Sequence, residues 1–248
     1  MKAIILAAGR GTRLRPLTDD KPKCMVELNG KPMLDWQVDV LKSQGIDEIH
    51  VVTGYKNDKI VNPAVTKHEN VRYATTNMVT TLFCAEDAIQ GDGDLIVSYG
   101  DIVYTASVLE TLKNTDAPIA VVVDKGWHEY WGTRMEDPLS DAETLKLDGN
   151  TRIIELGKKP DSLADVQGQY VGLFKIRADH LQAFRDAFHA MDRQGTYDGQ
   201  DFDNMYMTSF LQHLIDTGWA LGPAFIERGW FEVDTPEDLS LAQKEFAG

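Results

Sequence analysis

The sequence predicts an α/β fold, with a Rossmann-like, mostly parallel sheet, helices on both faces and a β-hairpin insertion. Apolar runs alternate with helical patterns through the first half of the 248-residue chain, as in right-handed βαβ crossovers. Residues 3–7 are continuously apolar, as expected of a strand buried on both faces. In the second half, two strand-like segments flank Asp148-Gly149-Asn150, whose residue types favour a hairpin turn.

The elements of the first half are predicted from periodicity and from the residues that end them. Residues 33–44 place Leu34, Val38 and Leu41 on one helical face, and Gly45 ends the helix. Residues 48–53 form the next strand. The remaining predictions are, in order, helical or irregular structure at 56–67, a strand at 71–74, a helix capped by Thr80 or Thr81 and reaching Ala88, a strand at 94–98, a helix at 108–113 and a strand at 119–123.

In the second half, the hairpin strands are predicted at 144–147 and 152–156, followed by a strand at 170–176, helices at 179–193 and 203–217, and a strand at 220–226. A final helix over 236–246 has Thr235 as its cap and Pro236 in its first turn. No repeat, low-complexity segment or linker divides the chain. We therefore expect a single domain over residues 1–248, in which residues 124–177 contribute the hairpin and a lid.

Composition excludes several classes of function. A formal net charge of −14 argues against nucleic acid as a partner. No stretch approaches the roughly 20 apolar residues that cross a bilayer, so we expect no membrane partner. The two cysteines, Cys24 and Cys84, suit a reducing cytoplasm. The sequence leaves monomer and homodimer open.

Basic residues are concentrated at the beginning of this acidic chain. Residues 1–23 hold six basic and two acidic side chains, a local balance of +4, so the remainder carries −18. Such a segment indicates a local anion site, although a solvated charge cluster is the alternative.

A glycine-rich loop follows the first strand, with Gly9, Gly11 and neighbouring arginines. In an open parallel sheet, ligands bind beyond the carboxyl ends of the strands, and glycines let backbone amides approach phosphate oxygens. The loop is not a dinucleotide fingerprint, because Leu14 replaces the third glycine and no acid ends the second strand. It also lacks the Gly-Lys-Ser/Thr of a Walker loop.

The run Leu-Ala-Ala-Gly-x-Gly-Thr-Arg-Leu-x-Pro-Leu-Thr over residues 6–18, followed by Lys21-Pro22-Lys23, resembles the signature of the nucleotidyltransferase superfamily that activates sugar phosphates and phosphocholine. Within this superfamily, the sequence resembles phosphocholine and phosphonate cytidylyltransferases. The resemblance implies Mg²⁺-dependent transfer of a nucleoside monophosphate, CMP from CTP, to a small phosphorylated or phosphonylated acceptor, with release of pyrophosphate. The nucleotide-binding residues it implies are Leu6, Ala8, Gly9, Gly11, Thr12, Arg13, Lys23, Asn77, Thr81 and Gly100.

Two distant aspartates match the metal positions of this superfamily. Asp101 closes the predicted central strand, and Asp234 stands near the other end of the chain. Mg²⁺ prefers one or two carboxylates together with phosphate oxygens. Glu232 would face the same side as Asp234 on an extended strand and could assist the metal or contact the acceptor. The alternatives are an ordinary turn at Asp101 and a helix start at Asp234. The catalytic residues are therefore expected to be Arg13, Lys23, Asp101 and Asp234.

The middle of the chain supplies the expected acceptor site. Lys159, with Lys158 in reserve, resembles the lysine that binds the acceptor phosphate in relatives, and Tyr170 and Gly172 resemble a strand lining the acceptor pocket. Asn77 could read a pyrimidine edge, or merely serve a loop and helix cap.

Three aromatic residues, Trp127, Tyr130 and Trp131, lie within five positions of one another in a segment that looks too glycine-rich and charged for the core. Aromatic faces attract ammonium groups, so a choline-like or aminoalkyl acceptor is one hypothesis, and structural packing is the other. Arg134 is assigned either to the acceptor phosphate or to the surface. A sugar-1-phosphate nucleotidyltransferase using UTP, dTTP or GTP, and a non-catalytic nucleotide-sensing domain, remain the alternative functions.

Overall fold

A nine-stranded mixed sheet forms the centre of the computed structural model, which describes residues 1–149 and 151–246. Asn150, the third residue of the predicted hairpin turn, lies outside the described residues. The strands are β1 (Lys2–Ala7), β2 (Glu27–Leu28), β3 (Lys31–Pro32), β4 (Glu48–Thr53), β5 (Thr66–Glu69), β6 (Leu95–Tyr99), β7 (Ile102–Tyr104), β8 (Ile119–Asp124), β9 (Leu145–Asp148), β10 (Arg152–Leu156), β11 (Gln169–Ile176), β12 (Thr196–Tyr197), β13 (Gln200–Asp201), β14 (Leu221–Ile226) and β15 (Trp230–Glu232). The α-helices are α1 (Met33–Ser43), α2 (Met78–Phe83), α3 (Ala106–Asn114), α4 (Trp127–Arg134), α5 (Leu181–Ala190), α6 (Met207–Asp216) and α7 (Pro236–Glu245).

The strand order of the central sheet is β5-β4-β1-β6-β11-β8-β14-β10-β9. β11 is antiparallel to both of its neighbours, and β10 is antiparallel to β14 and β9. The other adjacent pairs are parallel, so seven of the nine strands run in one direction. This confirms the predicted mostly parallel α/β sheet. The predicted hairpin, β9 and β10, does not stand apart but extends the sheet at one edge.

Apolar side chains pack on both faces of the sheet. Alternate residues of β1 point to opposite faces, so Ala3 and Ile5 join one core cluster while Ile4 and Leu6 join the other. Helices α1, α3, α4 and α7 cover the first face, and α2, α5 and α6 cover the second. The predicted arrangement of helices on both faces is therefore confirmed.

A short antiparallel pair outside the central sheet positions the site described below. β7 pairs with β15, with Ile102 opposite Glu232, and the Val233 amide donates to the Asp101 carbonyl oxygen at 3.0 Å. Neither strand was predicted, because each has only three residues. Their pairing brings the end of β6 next to the segment that leads into α7.

Two predicted elements are wrong. The strand expected at 71–74 is instead β5, over Thr66–Glu69, whose polar residues form a parallel sheet edge that carries no apolar run. The helix expected to be capped by Thr80 or Thr81 begins at Met78 and ends at Phe83, well before Ala88. Its cap is Asn77, whose Oδ1 accepts from the Met78 amide at 2.8 Å.

The final helix agrees with its prediction. The Thr235 hydroxyl accepts a hydrogen bond from the Asp238 amide, and the Asp238 carboxylate accepts one from the Thr235 amide, at 3.2 and 2.9 Å. This reciprocal pair is a capping box. Across residues 1–149 and 151–246, no helix is both long and apolar enough to cross a membrane.

Candidate active site

The glycine-rich loop leaves the carboxyl end of β1 and passes directly over Lys23. Gly11 has a φ of +66°, and a Cβ built there would lie 2.8 Å from the Cβ of Lys23. The Thr18 hydroxyl fixes the loop by donating to the Gly11 carbonyl oxygen at 2.8 Å. Glycine is therefore required at position 11 both by the left-handed backbone and by the close approach of Lys23.

Three carboxylates meet where β6 and β15 end. Asp101 follows β6, and Glu232 and Asp234 lie at and just beyond the end of β15. One oxygen from each of the three lies within 4.8 Å of the others. The predicted convergence of Asp101 and Asp234 is therefore present in the structure, and the unpredicted pairing of β7 with β15 produces it.

Two cations from the beginning of the chain bind these carboxylates. The Lys23 ammonium donates to Asp101 at 2.7 Å and also contacts Asp234, while Arg13 donates to the other oxygen of Asp234 at 2.7 Å. Burial alone would lower the pKa of Lys23, but the charges of Asp101, Asp234 and Glu232 outweigh it and raise the pKa above its ordinary value. Lys23 therefore stays charged at neutral pH.

Glu232 forms an ion pair with an arginine whose side chain is buried. Arg134 donates to Glu232 at 2.8 Å and to Asp238 at 2.8 Å, and its side chain is only 3% exposed. Burial and the neighbouring charge of Asp234 nevertheless raise the pKa of Glu232 to about 7. The surface role considered for Arg134 is wrong, because both sides of its guanidinium bind carboxylates in the interior.

The donor set fits a divalent cation. The Oδ1 atom of Asp101 is buried and has no hydrogen-bond partner among the described residues. Carboxylate oxygens are the ligands that Mg²⁺ takes, usually one or two of them with phosphate oxygens completing the set. Asp101 and Asp234 could hold such an ion, with Glu232 beside them.

A cavity of about 140 Å³ opens between the loop and α2. Seven of the residues predicted to bind nucleotide line it, namely Leu6, Ala8, Gly9, Lys23, Asn77, Thr81 and Gly100. Gly11, Thr12 and Arg13 lie outside its lining. The Asn77 side chain is engaged as the cap of α2 and donates to the Asn204 carbonyl oxygen at 3.3 Å, and the Thr81 hydroxyl donates to the Asn77 carbonyl oxygen.

A second cavity, of about 220 Å³, lies on the other side of the carboxylates. Six residues predicted from the sequence line it, namely Arg13, Trp131, Tyr170, Gly172, Glu232 and Asp234. It shares Met78 and Tyr99 with the first cavity, and Asp101 lines the first while Asp234 lines the second. The two cavities therefore meet at the carboxylates, as two substrate sites joined at a reaction centre would.

Several polar residues of the second cavity were missed by sequence reasoning. They are Asp141, Glu143, Gln169, Tyr206 and Thr208. Two carboxylates immediately before a predicted hairpin strand are the signal that could have identified Asp141 and Glu143.

Four residues expected at the acceptor site lie elsewhere. Lys159 is exposed on the turn after β10, outside both cavities, and Trp127, Tyr130 and Arg134 line neither. The expectation that the aromatic segment lies outside the core is wrong, because its residues form α4 and the three aromatic side chains are at most 5% exposed. Helical spacing places them on one face, against Trp230 and Phe231.

Comparison with known proteins places this geometry in a family. Residues 3–194 match the family described as MobA-like NTP transferase domain. The chain is 45% identical to the CTP:phosphoglutamine cytidylyltransferase of Campylobacter jejuni over 251 aligned residues, covering 97% of this chain and 98% of the relative. It is 35% identical to the 2-aminoethylphosphonate cytidylyltransferase of Lancefieldella rimae over 161 residues, 63% of this chain and 60% of the relative.

The fold is shared with solved structures of low sequence identity. The inositol-1-phosphate CTP transferase of T. maritima superposes with a TM-score of 0.73 at 21% identity, covering 100% of this chain and 97% of that one. Because the family match spans most of the chain and the Campylobacter relative aligns along nearly all of it, this protein belongs to the MobA-like NTP transferase domain family and is a nucleotidyltransferase.

Proposed function

We propose that the protein transfers CMP from CTP to a small phosphorylated or phosphonylated acceptor and releases pyrophosphate. The observation that carries the proposal is the meeting of two cavities at three carboxylates and two cations. One cavity follows the glycine-rich loop and suits a nucleotide. The other suits a second, smaller substrate.

The nucleotide end of the site is built from the loop and from Lys23. Backbone amides of the loop and the mostly exposed Arg13 side chain are available to polyphosphate oxygens, while the first cavity takes the base and ribose. The preference for CTP is supported by the two relatives, which are both cytidylyltransferases.

The acceptor enters the second cavity. The candidates are a phosphorylated glutamine, as in the Campylobacter relative, 2-aminoethylphosphonate, as in the Lancefieldella relative, and phosphocholine. All three carry an anionic phosphate or phosphonate group and a nitrogen-containing group. The cavity is lined by the cation of Arg13 and by polar and acidic side chains.

The reaction is an in-line displacement at the α-phosphorus of CTP. An oxygen of the acceptor phosphate or phosphonate forms the new bond to phosphorus, and the bond to the pyrophosphate oxygen breaks. The nucleophile is already an anion, so no general base is needed. Lys23 and Arg13 neutralise charge that builds on the phosphates, and Arg134 orients Glu232. Mg²⁺ bound by Asp101 and Asp234, with Glu232 alongside, would supply further charge neutralisation.

A matrix of substrates tests the proposal. Purified protein is incubated with Mg²⁺, one of CTP, UTP, dTTP, GTP or ATP, and one of phosphoglutamine, 2-aminoethylphosphonate, phosphocholine or glucose-1-phosphate, and pyrophosphate release is measured. We expect release with CTP and at least one nitrogen-containing acceptor. Fast release with UTP, dTTP or GTP and glucose-1-phosphate, and none with CTP, would establish the sugar-phosphate alternative. Tight nucleotide binding without release in any combination would indicate a sensing domain.

A further inference from the structure

The second cavity contains two carboxylates outside the ion pairs of the reaction centre. Asp141 and Glu143 both line it, and within the described part of the chain neither forms an ion pair, since Arg13 and Arg134 are paired with Asp234, Glu232 and Asp238. Around the reaction centre the pattern is different, because Asp101, Asp234, Glu232 and Asp238 all bind Lys23, Arg13 or Arg134. The charges of Arg134 and Arg13 oppose the rise that burial causes in the pKa of Asp141, whereas only burial and negative neighbours act on the pKa of Glu143. Glu143 is thus the carboxylate of this cavity that no cation among the described residues stabilises.

A buried donor in the same cavity also lacks a partner. Trp131 is 3% exposed, and its indole Nε1 has no hydrogen-bond partner among residues 1–149 and 151–246. A buried N–H without an acceptor is costly, so it indicates a group that arrives with a ligand. The hydroxyl of Tyr170, which lines the same cavity, is also buried without a partner among those residues. Together, the cavity offers two unpartnered donors and two carboxylates, the complement of a molecule that carries both an oxygen acceptor and a cation.

The aromatic rings of α4 do not form an open cage for that cation. The Tyr130 ring lies near two guanidinium groups, those of Arg134 at 5.3 Å and Arg228 at 3.8 Å from its centroid. Arg134 also lies 5.2 Å from the centroid of Trp131, whose ring is almost wholly buried. The rings of α4 are therefore not the cation site. The charged groups of the cavity that could bind a cation are Asp141 and Glu143, and the tyrosines Tyr99, Tyr170 and Tyr206 line the cavity beside them.

Carboxylates and aromatic faces favour different ammonium groups. A carboxylate binds best to a cation that donates N–H hydrogen bonds, as a primary ammonium does. A trimethylammonium group has no N–H and is the type of cation that aromatic cages take. We propose that the acceptor carries a primary ammonium group and that Glu143, with Asp141 beside it, is the residue that selects it. This rests on the proposed function above.

The electrostatic state of Glu143 agrees with this role. Burial, together with the negative charges of Asp141 and Asp198, raises the pKa of Glu143 to about 7. A cation placed beside Glu143 would remove the repulsion and favour the carboxylate form. The Trp131 N–H then has an oxygen of the same acceptor, a carboxylate, carbonyl or phosphoryl oxygen, as its partner.

Three acceptors that share a phosphate and differ only at nitrogen test the proposal. These are phosphoethanolamine, with a primary ammonium; phosphocholine, with a trimethylammonium; and ethyl phosphate, with neither. With CTP and Mg²⁺, wild-type kcat/KM should be highest for phosphoethanolamine, by at least about tenfold, the scale of one charge-assisted hydrogen bond.

The variant Glu143→Gln keeps the shape of the side chain and removes its charge. It should lower kcat/KM for phosphoethanolamine by at least about tenfold, change the value for ethyl phosphate by less than about twofold and leave the KM for CTP unchanged. Glu143→Asp should retain part of the preference. The exposed Glu110 lies outside both cavities, so Glu110→Gln is the matched control and should behave as wild type.

Two results would overturn the proposal. One is an equal loss for all three acceptors in Glu143→Gln, which would mark Glu143 as structural. The other is a wild-type preference for phosphocholine over phosphoethanolamine. If CTP is not turned over with any acceptor, the proposed function is refuted but the role of Glu143 can still be tested. Calorimetry then measures the binding of phosphoethanolamine and ethyl phosphate to wild type and to Glu143→Gln. Equal binding of phosphoethanolamine by wild type and Glu143→Gln would then refute the assignment.

Discussion

Gly11 shows how one residue can serve both the backbone and the reaction centre. Its left-handed φ would strain any other residue, and a Cβ would also meet the side chain of Lys23. Gly30 has a similar φ of +79°, but a Cβ there would meet nothing within 4 Å. Substituting each glycine in turn therefore distinguishes the free-energy cost of a left-handed backbone from the effect of a clash with Lys23.

We expect Gly11→Ala and Gly30→Ala each to lose about 1 kcal/mol of folding free energy from the backbone alone. Only Gly11→Ala should also lower kcat, because it displaces the ammonium that contacts Asp101 and Asp234. Urea unfolding and steady-state kinetics on both variants provide the measurements. Equal kcat values in the two variants would show that Lys23 tolerates the added carbon.

The buried carboxyl group of Glu143 makes stability depend on pH. Its pKa in the folded protein is about 7 against an ordinary value of 4.5, so ionisation is harder in the folded state than in the unfolded chain. The group therefore costs stability increasingly as pH rises from about 4.5 to about 7. Above that range the full cost is present.

Replacing Glu143 with glutamine removes this cost. Without acceptor, Glu143→Gln should be more stable than wild type by at most about 3 kcal/mol at pH 8, and by less than about 1 kcal/mol at pH 5. Denaturant titrations at the two pH values measure the difference, with Glu110→Gln as the reference. The same difference at both pH values would mean that the charge of Glu143 is not its cause.

Sequence reasoning at the residue scale succeeded where a side chain belongs to a local motif. Leu6, Ala8, Gly9 and Lys23 were located by the pattern after β1, and the structure places all four around one cavity. Lys159 was located by a weaker turn pattern and lies outside both cavities. Glu143 was missed because its position depends on a residue distant in the chain: its amide donates to the Gln169 side chain of β11, 26 positions away.

At the scale of elements, α4 joins the second cavity to the final helix. Its aromatic face packs against β15, while Arg134 in its last turn reaches both Glu232 and Asp238. Asp238 at the same time completes the capping box of α7. Arg134 is thus a positioning residue that holds β15 and α7 in register behind the reaction centre.

We expect Arg134→Met to destabilise the protein by about 3–5 kcal/mol, because it leaves the buried Asp238 and the partly buried Glu232 without their cation. Adding Asp238→Asn to this variant should recover part of the loss, since one of the unpaired charges is then removed. Urea unfolding of the two single variants and the double variant measures the coupling. Simple additivity of the two losses would contradict the proposed ion pair.

The elements that sequence periodicity could not predict are those held by partners distant in the chain. β7 and β15 have three residues each and form only because they pair with one another. β5 has no apolar pattern and is fixed by its backbone bonds to β4. By contrast, β4 and α1 have complete local patterns, and the predicted bounds of β4 match those of the structure.

At the scale of the whole molecule, the reaction centre is assembled from both ends of the described chain. Lys23 and Asp234 are 211 positions apart, and Arg13 and Asp234 are 221 apart. The resemblance predicted that Arg13, Lys23 and Asp234 lie close together in the fold. In an open α/β sheet, such a site is expected at the carboxyl ends of the parallel strands. The short pairing that completes the convergence followed from no local pattern.

A bound Mg²⁺ would bridge these distant segments, so it should stabilise the entire fold. We expect saturating Mg²⁺ to raise the unfolding free energy of wild type by about 1–3 kcal/mol, following the linkage between binding and folding. Asp101→Asn and Asp234→Asn should abolish this increase and lower kcat by at least about a hundredfold. Thermal unfolding with Mg²⁺ or EDTA and kinetics provide the measurements, with the exposed Asp92→Asn as control. Normal Mg²⁺-dependent turnover in both site variants would refute the metal assignment.

Because β15 lies near the end of the described chain, its pairing with β7 also determines when during translation the protein can become active. A nascent chain that has emerged only as far as β14 already contains the glycine-rich loop, Lys23 and Asp101, but not Glu232 or Asp234. Such a chain lacks the carboxylates that complete the centre, and it also lacks the core residues Trp230 and Phe231. Turnover would therefore begin only after the last strand has left the exit tunnel, and unfinished chains would be unable to consume CTP.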